Sequence, residues 1–438
     1  MKRRAFVTTT AATSLLHQVP LLAAAGKSGK KYRTALLGSG WWGMNILREA
    51  MASETIRVVA LNDVSDDALE VAAEEVHDLS GDKPKLYKDY RELLEKEKPE
   101  IVIISTPDHW HALQTIAAAR AGAHVFVEKP TGHTIQESRA MVNATRDSGK
   151  TIQVGLHRRI GPHHVSGMEF LRSGKVGKVG MVRMFVAGAG GAEKPRPNSE
   201  PPEGMDWDMY CGPAPLRPFN SRIHPGGFRH FLDFANGTLG DWGVHWLDQV
   251  LWWTEEKYPR RVYSTGGRPV RGEPVLTDTE QTTDAPDTQV AVYEFESFTA
   301  TWEHRRYAEN PPEKHKIGCY FYGENGVFHM GWRDGWTFYP ANSREKIIHQ
   351  DSRLQEPDGH NLELLWRDFI DGIEGKKETV CGIESSHRSS VLPMLGMMSL
   401  KLGRSIHWDG TKEQVVGDPA ANKLLKRDYR GPWVYPKS

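Results

Sequence analysis

Cysteine is scarce, neither sign of charge is in excess, and no long apolar run follows the first residues. The 438 residues hold three cysteines, Cys211, Cys319 and Cys381. Their odd number and wide spacing fit neither a disulfide framework nor a zinc pattern, which leaves three packed thiols. Lys plus Arg and Asp plus Glu both total 56, so the formal net charge is zero. Nucleic acid or an anionic membrane calls for a cationic excess, so neither is expected as a partner, and a small neutral or weakly charged substrate fits better. Nothing after the N-terminus approaches the roughly 18 to 20 apolar residues of a membrane span. No third ligand stands at metal spacing beside His109 and His111, so no metal is expected and both histidines read as hydrogen-bonding or packing groups.

What is present begins with Lys2-Arg3-Arg4 before the weakly apolar "AFVTTTAATSLLHQVPLLAAA". Paired arginines ahead of such a run predict a twin-arginine export signal over residues 1–26 and a periplasmic or otherwise exported protein; the other reading is a frayed tail. A chain of this length predicts two domains. In the first, over residues 32–155, the short strands "RTALLGS", "IRVVALND", "PEIVIISTP", "AHVFVE" and "KTIQVG" alternate with helical stretches such as Asp67 to His77 and Tyr90 to Lys96. That alternation predicts right-handed βαβ units and a parallel sheet, an α/β fold.

The first turn reads Gly38-Ser39-Gly40-Trp41-Trp42-Gly43, between a strand and a helix. Glycines there let the backbone approach a pyrophosphate, which rests on the free N–H groups of the helix. About 20 residues on, Asp63 closes the second strand, placed to accept hydrogen bonds from a ribose 2′-hydroxyl. No Lys or Arg follows in Val64 to Asp67 to welcome a 2′-phosphate. The cofactor expected is therefore NAD rather than NADP. In "STPDHWHALQ", Asp108 is expected to cap the helix it precedes. In "HVFVEKPTGHTIQES", Lys129 is a cation at the end of a buried strand, and Pro130 restricts its backbone. Thr134 to Glu137 is a capping-box pattern that starts the next helix.

From about Leu156 the strands lengthen and alternate with period two, as in "VGMVRMFVAG", "DTQVAVYEFE", "FTATWEHRR" and "KIGCYFYGE". They predict an antiparallel or mixed sheet with one covered face. "GTLGDWGVHWLDQVLWW" puts Asp241 and His245 at i and i+4, on one face of a helix, where a carboxylate can orient an imidazole that acts as a base. Between Gly188 and Gly237 lies a Pro- and Gly-rich stretch of a length usual for lids and binding loops. Its Tyr210, His224 and Arg229, with Arg159 of "VGLHRRIGPHH", are weak substrate-binding candidates.

The strings "GSGWWG", "ISTPDHWHALQTIAAARAGAHVFVEKP", "VGLHRRIGPHH" and "NGTLGDWGVHWLDQV" resemble, in their order, the glucose-fructose oxidoreductase and inositol dehydrogenase superfamily, Gfo/Idh/MocA. The resemblance implies a Rossmann domain and, over residues 156–409, a C-terminal α+β domain whose large, mostly antiparallel open sheet forms a subunit interface, giving a homodimer or homotetramer. Residues 410–438 are then a C-terminal tail. In similar proteins the lysine of Glu-Lys-Pro lies beside the nicotinamide and contacts the substrate hydroxyl, a role that falls on Lys129. The aspartate and histidine of the second domain match Asp241 and His245. Gly38, Gly40, Trp41, Trp42, Gly43, Asp63, Thr106, Pro107, His111, Glu128 and Lys129 fall on the cofactor side. The expected activity is hydride transfer between tightly held NAD and a hydroxyl carbon of a sugar, cyclitol or glycoside. Two others stay open: redox-neutral, NAD-dependent cleavage of a glycoside, and a non-catalytic NAD-bound sugar-binding protein.

Overall fold

The computed structural model describes residues 29–309, 314–354 and 356–437, so the expected export signal lies outside the described residues. Six parallel strands, β1 Tyr32–Leu37, β2 Ile56–Asn62, β3 Lys85–Tyr87, β4 Ile101–Ile104, β5 His124–Val127 and β6 Ile152–Val154, form one sheet in the order β3-β2-β1-β4-β5-β6. Five helices connect or flank them: α1 Trp41–Ala52, α2 Asp66–Ser80, α3 Tyr90–Glu97, α4 Asp108–Arg120 and α5 Ile135–Ser148. β4 reads Ile-Val-Ile-Ile and all four side chains are fully buried, as a strand covered on both faces requires. Strand order reverses between β1 and β4, which opens a crevice at their carboxyl ends where such sheets bind ligands. The edge strand β3 carried no sequence signal, because two of its three residues are exposed.

The second domain holds a ten-stranded sheet that starts at the edge strand Ile348–Gln350 and ends at Gln414–Val415. Its pairings are antiparallel except one: Thr299–Arg305 runs parallel to Val179–Ala187 at its centre. The helices Val244–Trp253 and Ile383–Leu402 cover one face, burying Trp246, Trp302 and Phe321 between the layers. Met181, Tyr263 and Val290 stand exposed on the other.

Three later segments return to the first domain. The helix Pro357–Ile373 lies on α1, and its Trp366 indole donates to Ser53 Oγ (3.1 Å). The helix Ile383–Leu402 packs against α5 as well as the large sheet. The C-terminal segment ends on the capping box: Glu137 Oε2 accepts from His133 N (2.7 Å) and Thr134 N (2.9 Å), while its Oε1 accepts from Arg427 Nε (2.9 Å) and Tyr429 Oη (2.7 Å). Both oxygens of a fully buried carboxylate are thereby satisfied, one by the turn it caps and one by the tail. The turn that carries Lys129 is held from both sides.

The stretch from Gly188 to Gly237 is less irregular than its composition suggests. It contains a short helix, Trp207–Cys211, a 3-10 turn, Gly227–His230, and an apolar cluster of its own around Tyr210, Phe231 and Phe234. It lies across the first domain, with Asp206 N donating to Val64 O (2.8 Å) and His109 N to Phe234 O (3.2 Å).

Candidate active site

A cavity of about 760 Å³ runs from the glycine turn, along the carboxyl ends of β1, β2, β4 and β5, to the start of the helix Val244–Trp253. At the glycine end the backbone is tightly specified. Gly38 has φ of 87°, and a Cβ there would sit 2.7 Å from Ser105 O. A Cβ on Gly43 would lie 2.0 Å from Gly38 O, so α1 seats on the turn only without one. Gly43→Ala is expected to cost about 1–3 kcal/mol, as overpacking does, and to weaken cofactor binding. Thermal melting and a dinucleotide titration check it.

The same end fits a dinucleotide. α1 starts just after its N-cap Gly40, with no side chain capping it and no acidic residue in its first turn, and nothing lies within 4 Å of the missing Gly40 Cβ. Free N–H groups at the positive end of a helix suit a pyrophosphate. Asp63 lines the cavity with its carboxylate already bracing the turn, Oδ2 accepting from Ser39 N (2.8 Å) and Oδ1 from Ser65 N (3.1 Å). Burial pushes this carboxyl up and the backbone donors oppose that. Each oxygen keeps a second lone pair for a ribose hydroxyl. Trp41 and Trp42 form the wall beside the glycine turn, with ring centres 5.2 Å apart, and Trp42 continues to His157 at 6.2 Å.

Thr106, Pro107, His111, Glu128 and Lys129 all line the cavity. His111 is a strut between two of its loops, with Nδ1 2.8 Å from Pro130 O and Nε2 2.8 Å from Thr106 O. His109 Nε2 bonds Tyr210 O (2.9 Å). Elsewhere among the described residues, ligand-capable atoms of His315, His329 and Asp334 come within 4.8 Å of one another. The two imidazoles stack with centres 3.8 Å apart, and His315 Nδ1 lies 2.8 Å from Asp334 Oδ2.

Lys129, after which the peptide to Pro130 is cis, reaches across the domain boundary. Its Nζ donates to Asp241 Oδ1 (2.6 Å) and Asp241 O (3.0 Å). An ammonium has three donors, so one is left for the cavity. Arg229 Nε donates to the same Asp241 oxygen (3.2 Å), with its guanidinium over Phe228. Burial works against ionising Asp241, but Lys129 and Arg229 outweigh it and hold this carboxyl well below the usual range.

That pairing corrects the role expected of Asp241. Leu239–Gly243 is a turn of π-helix leading into the α-helix, a local widening that recurs at functional sites. The carboxylate is taken by Lys129 and Arg229, and among the described residues the buried His245 Nδ1 has no partner. Asp241 positions the lysine, not the imidazole. His245 is held among aromatic rings, 5.1 Å from Trp332, 5.6 Å from His157 and 6.4 Å from Trp242, centre to centre. Burial, reinforced by the charges of Lys129 and Arg158, keeps it neutral far below the ordinary histidine range.

Of the weak candidates, Tyr210, His224 and Arg229 line the cavity. Arg159 does not. It is spent on Asp248, with Nε 2.9 Å from Oδ2 and Nη2 2.7 Å from Oδ1. The 3-10 turn His157–Ile160 sends successive side chains to different sides, so His157 enters the cavity while Arg159 turns toward the helix Val244–Trp253. Asp108 is not the cap expected. It is the first residue inside α4, after Pro107, and its side chain caps nothing. Sequence reasoning also passed over His157, inside "VGLHRRIGPHH", and Trp332, just after the strand Gly326–Gly331.

Fold and cavity together define a two-domain dinucleotide-binding protein. The description "Oxidoreductase family, NAD-binding Rossmann fold" matches residues 32–156, and "Oxidoreductase family, C-terminal alpha/beta domain" matches residues 185–264 and 344–435, together more than half of the chain. The chain belongs to the Gfo/Idh/MocA family of NAD(P)-binding oxidoreductases. It is 37% identical over 146 residues to a glycosyl hydrolase family 109 protein of Stenotrophomonas maltophilia, a match that spans 31% of each. It is 26% identical over 227 residues to the rhizopine catabolism protein MocA of Rhizobium meliloti, spanning 52% of this chain and 58% of that one. The chain thus spans about a third to somewhat over half of these curated relatives. A levoglucosan dehydrogenase in complex with NADH and levoglucosan shares the fold, with a TM-score of 0.67 at 18% identity over 86% of this chain and 99% of that one.

Proposed function

We propose that the protein transfers hydride between NAD and a hydroxyl carbon of a sugar, cyclitol or glycoside. The observation that carries this is the meeting of Lys129, from the end of β5, with Asp241 and His245, more than a hundred residues later, in the cavity that starts at the glycine turn. NAD, when bound, supplies the hydride acceptor. His245 takes the hydroxyl proton at Nε2, the nitrogen left to the cavity when Nδ1 is buried. The free N–H of Lys129 donates to the substrate oxygen and stabilises negative charge as it develops there. Asp241 fixes that ammonium, and Trp242, Trp332 and His157 offer flat faces to a sugar ring while shedding water from the base.

Asp63, with no cation in Val64 to Asp67, supports NAD over NADP. The proposal includes export by the twin-arginine route with the cofactor loaded beforehand and held tightly, because an exported enzyme that released NAD each cycle would have no supply. It also includes self-association through the open face of the large sheet, where Met181, Tyr263 and Val290 are exposed. A second reading, redox-neutral cleavage of a glycoside, is supported by the likeness to the family 109 protein.

The test uses protein purified without added NAD, incubated with free sugars, cyclitols and aryl glycosides while reduced nicotinamide and free aglycone are followed. Reduction by a free sugar or cyclitol is expected. Aglycone release without net reduction replaces the first reading by the second, and no change with any substrate sinks both.

A further inference from the structure

One buried titratable group in the cavity has no part in the chemistry described so far. Asp108 is 6% exposed, opens α4 and lines the cavity. Among the described residues no neighbouring side chain or backbone group donates to its carboxyl; the single donor is its own N–H. The charged groups around it are Lys129, Arg229 and Asp241, the first two favouring the anion and the third opposing it. Both cations hydrogen-bond Asp241 rather than Asp108. Burial dominates and pushes the Asp108 carboxyl up to about 7. Two carboxyls of one cavity are thus pushed in opposite directions, Asp241 down by its two cations and Asp108 up by burial, which suits Asp108 to carry a proton.

We propose that Asp108 is a second proton-transfer residue of this cavity, a carboxylic acid that hands its proton to a substrate oxygen while His245 receives one. The proposal rests on the reading that a sugar or glycoside occupies the cavity. Removing hydride and a hydroxyl proton needs a base alone, whereas a carboxylic acid and a base lining one cavity suit a step with two proton movements. On a glycoside that already carries a ring ketone, the step is an elimination. The proton on the carbon beside the carbonyl goes to His245, and the C–H pair becomes the new C=C bond. The C–O bonding pair leaves with the glycosidic oxygen, which takes the Asp108 proton. Nothing is oxidised or reduced, and solvent returns both groups to their starting states.

The experiment compares wild type, Asp108→Asn and Asp108→Ser, each first shown to melt as a folded protein. In infrared difference spectra across pH, a protonated-carboxyl band should fade as pH rises through about 7 and be missing from both variants. With an aryl keto-glycoside as substrate, aglycone release should fall by about 10²-fold or more in both variants, within the range for positioned proton transfer, and lose its limb near neutrality. A cavity without a carboxyl titrating there, or variants that release aglycone at the wild-type rate with an unchanged pH profile, overturns the proposal. A wild type that shows the band and cleaves the keto-glycoside yet oxidises no sugar or cyclitol supports Asp108 and removes the hydride-transfer reading, because neither measurement involves hydride.

Discussion

His245→Ala is expected to lower turnover by on the order of 10²–10⁴-fold, the range for a positioned base, while dinucleotide binding is unchanged. The imidazole sits at the second-domain end of the cavity, away from the glycine turn and Asp63 that would hold the cofactor. Lys129→Ala should lower turnover over the same range, because it removes the donor proposed for the substrate oxygen. Steady-state turnover with a titration of bound NAD checks both, and near-wild-type turnover in either variant sinks the assignment. The pH dependence adds a sign. Because the folded-state value of His245 is depressed well below the usual 6.5, its base form persists as pH falls through that value. The acid limb that His245 contributes should therefore lie at lower pH than that of a free histidine. A limb at the ordinary histidine position that vanishes in His245→Ala would contradict the buried, unpartnered environment of the ring.

Asp241→Asn should damage both stability and turnover. The carboxylate is 18% exposed and binds Lys129, itself 13% exposed, and Arg229. Neutralising it leaves two largely buried cations facing each other, and breaking a buried pair costs about 3–5 kcal/mol. Lys129 also loses the acceptor that sets its position, so kcat should fall together with the melting temperature. The folded-state value of Asp241 is depressed, so the stability it gives is present above its ordinary value of 3.8 and is lost as pH falls through the folded one. The gap between wild type and variant should hold across neutral pH and close only in strong acid. Melting curves at several pH values decide it, and a gap that closes on approaching neutrality would show that the pair is not what holds these elements together.

How far the site could be read in advance depended on whether the cause was local. The glycine turn, the acidic end of β2 and the Thr134–Glu137 capping box are set by neighbours within one turn or strand end, and their spacing alone announced them. The i, i+4 spacing of Asp241 and His245 suggests a pair, whereas both line the cavity and the carboxylate binds Lys129. Spacing along a helix cannot register a lysine 112 residues away that competes for the carboxylate. Arg159 looked like an available cation because its partner, Asp248, stands 89 positions on. Asp108 looked like a cap because an Asp just before a helix commonly is one, whereas here Pro107 takes the flanking position.

By itself the sequence determined the class of fold, since the alternation of apolar strands and helices leaves a parallel sheet as the way to bury both faces, and the second-domain strands alternate as a one-sided sheet must. It also set which glycines and charged residues stand at the ends of β1, β2 and β5. Only the tertiary structure decided what those groups do to one another. Whether a carboxyl is ionised, a histidine neutral or an ammonium free depends on burial and on charges brought within a few ångströms by chain segments far apart in sequence. The cation of Glu-Lys-Pro is therefore legible in fifteen residues, while its partner Asp241, the lowered basicity of His245 and the raised carboxyl of Asp108 come only from both domains meeting around one cavity.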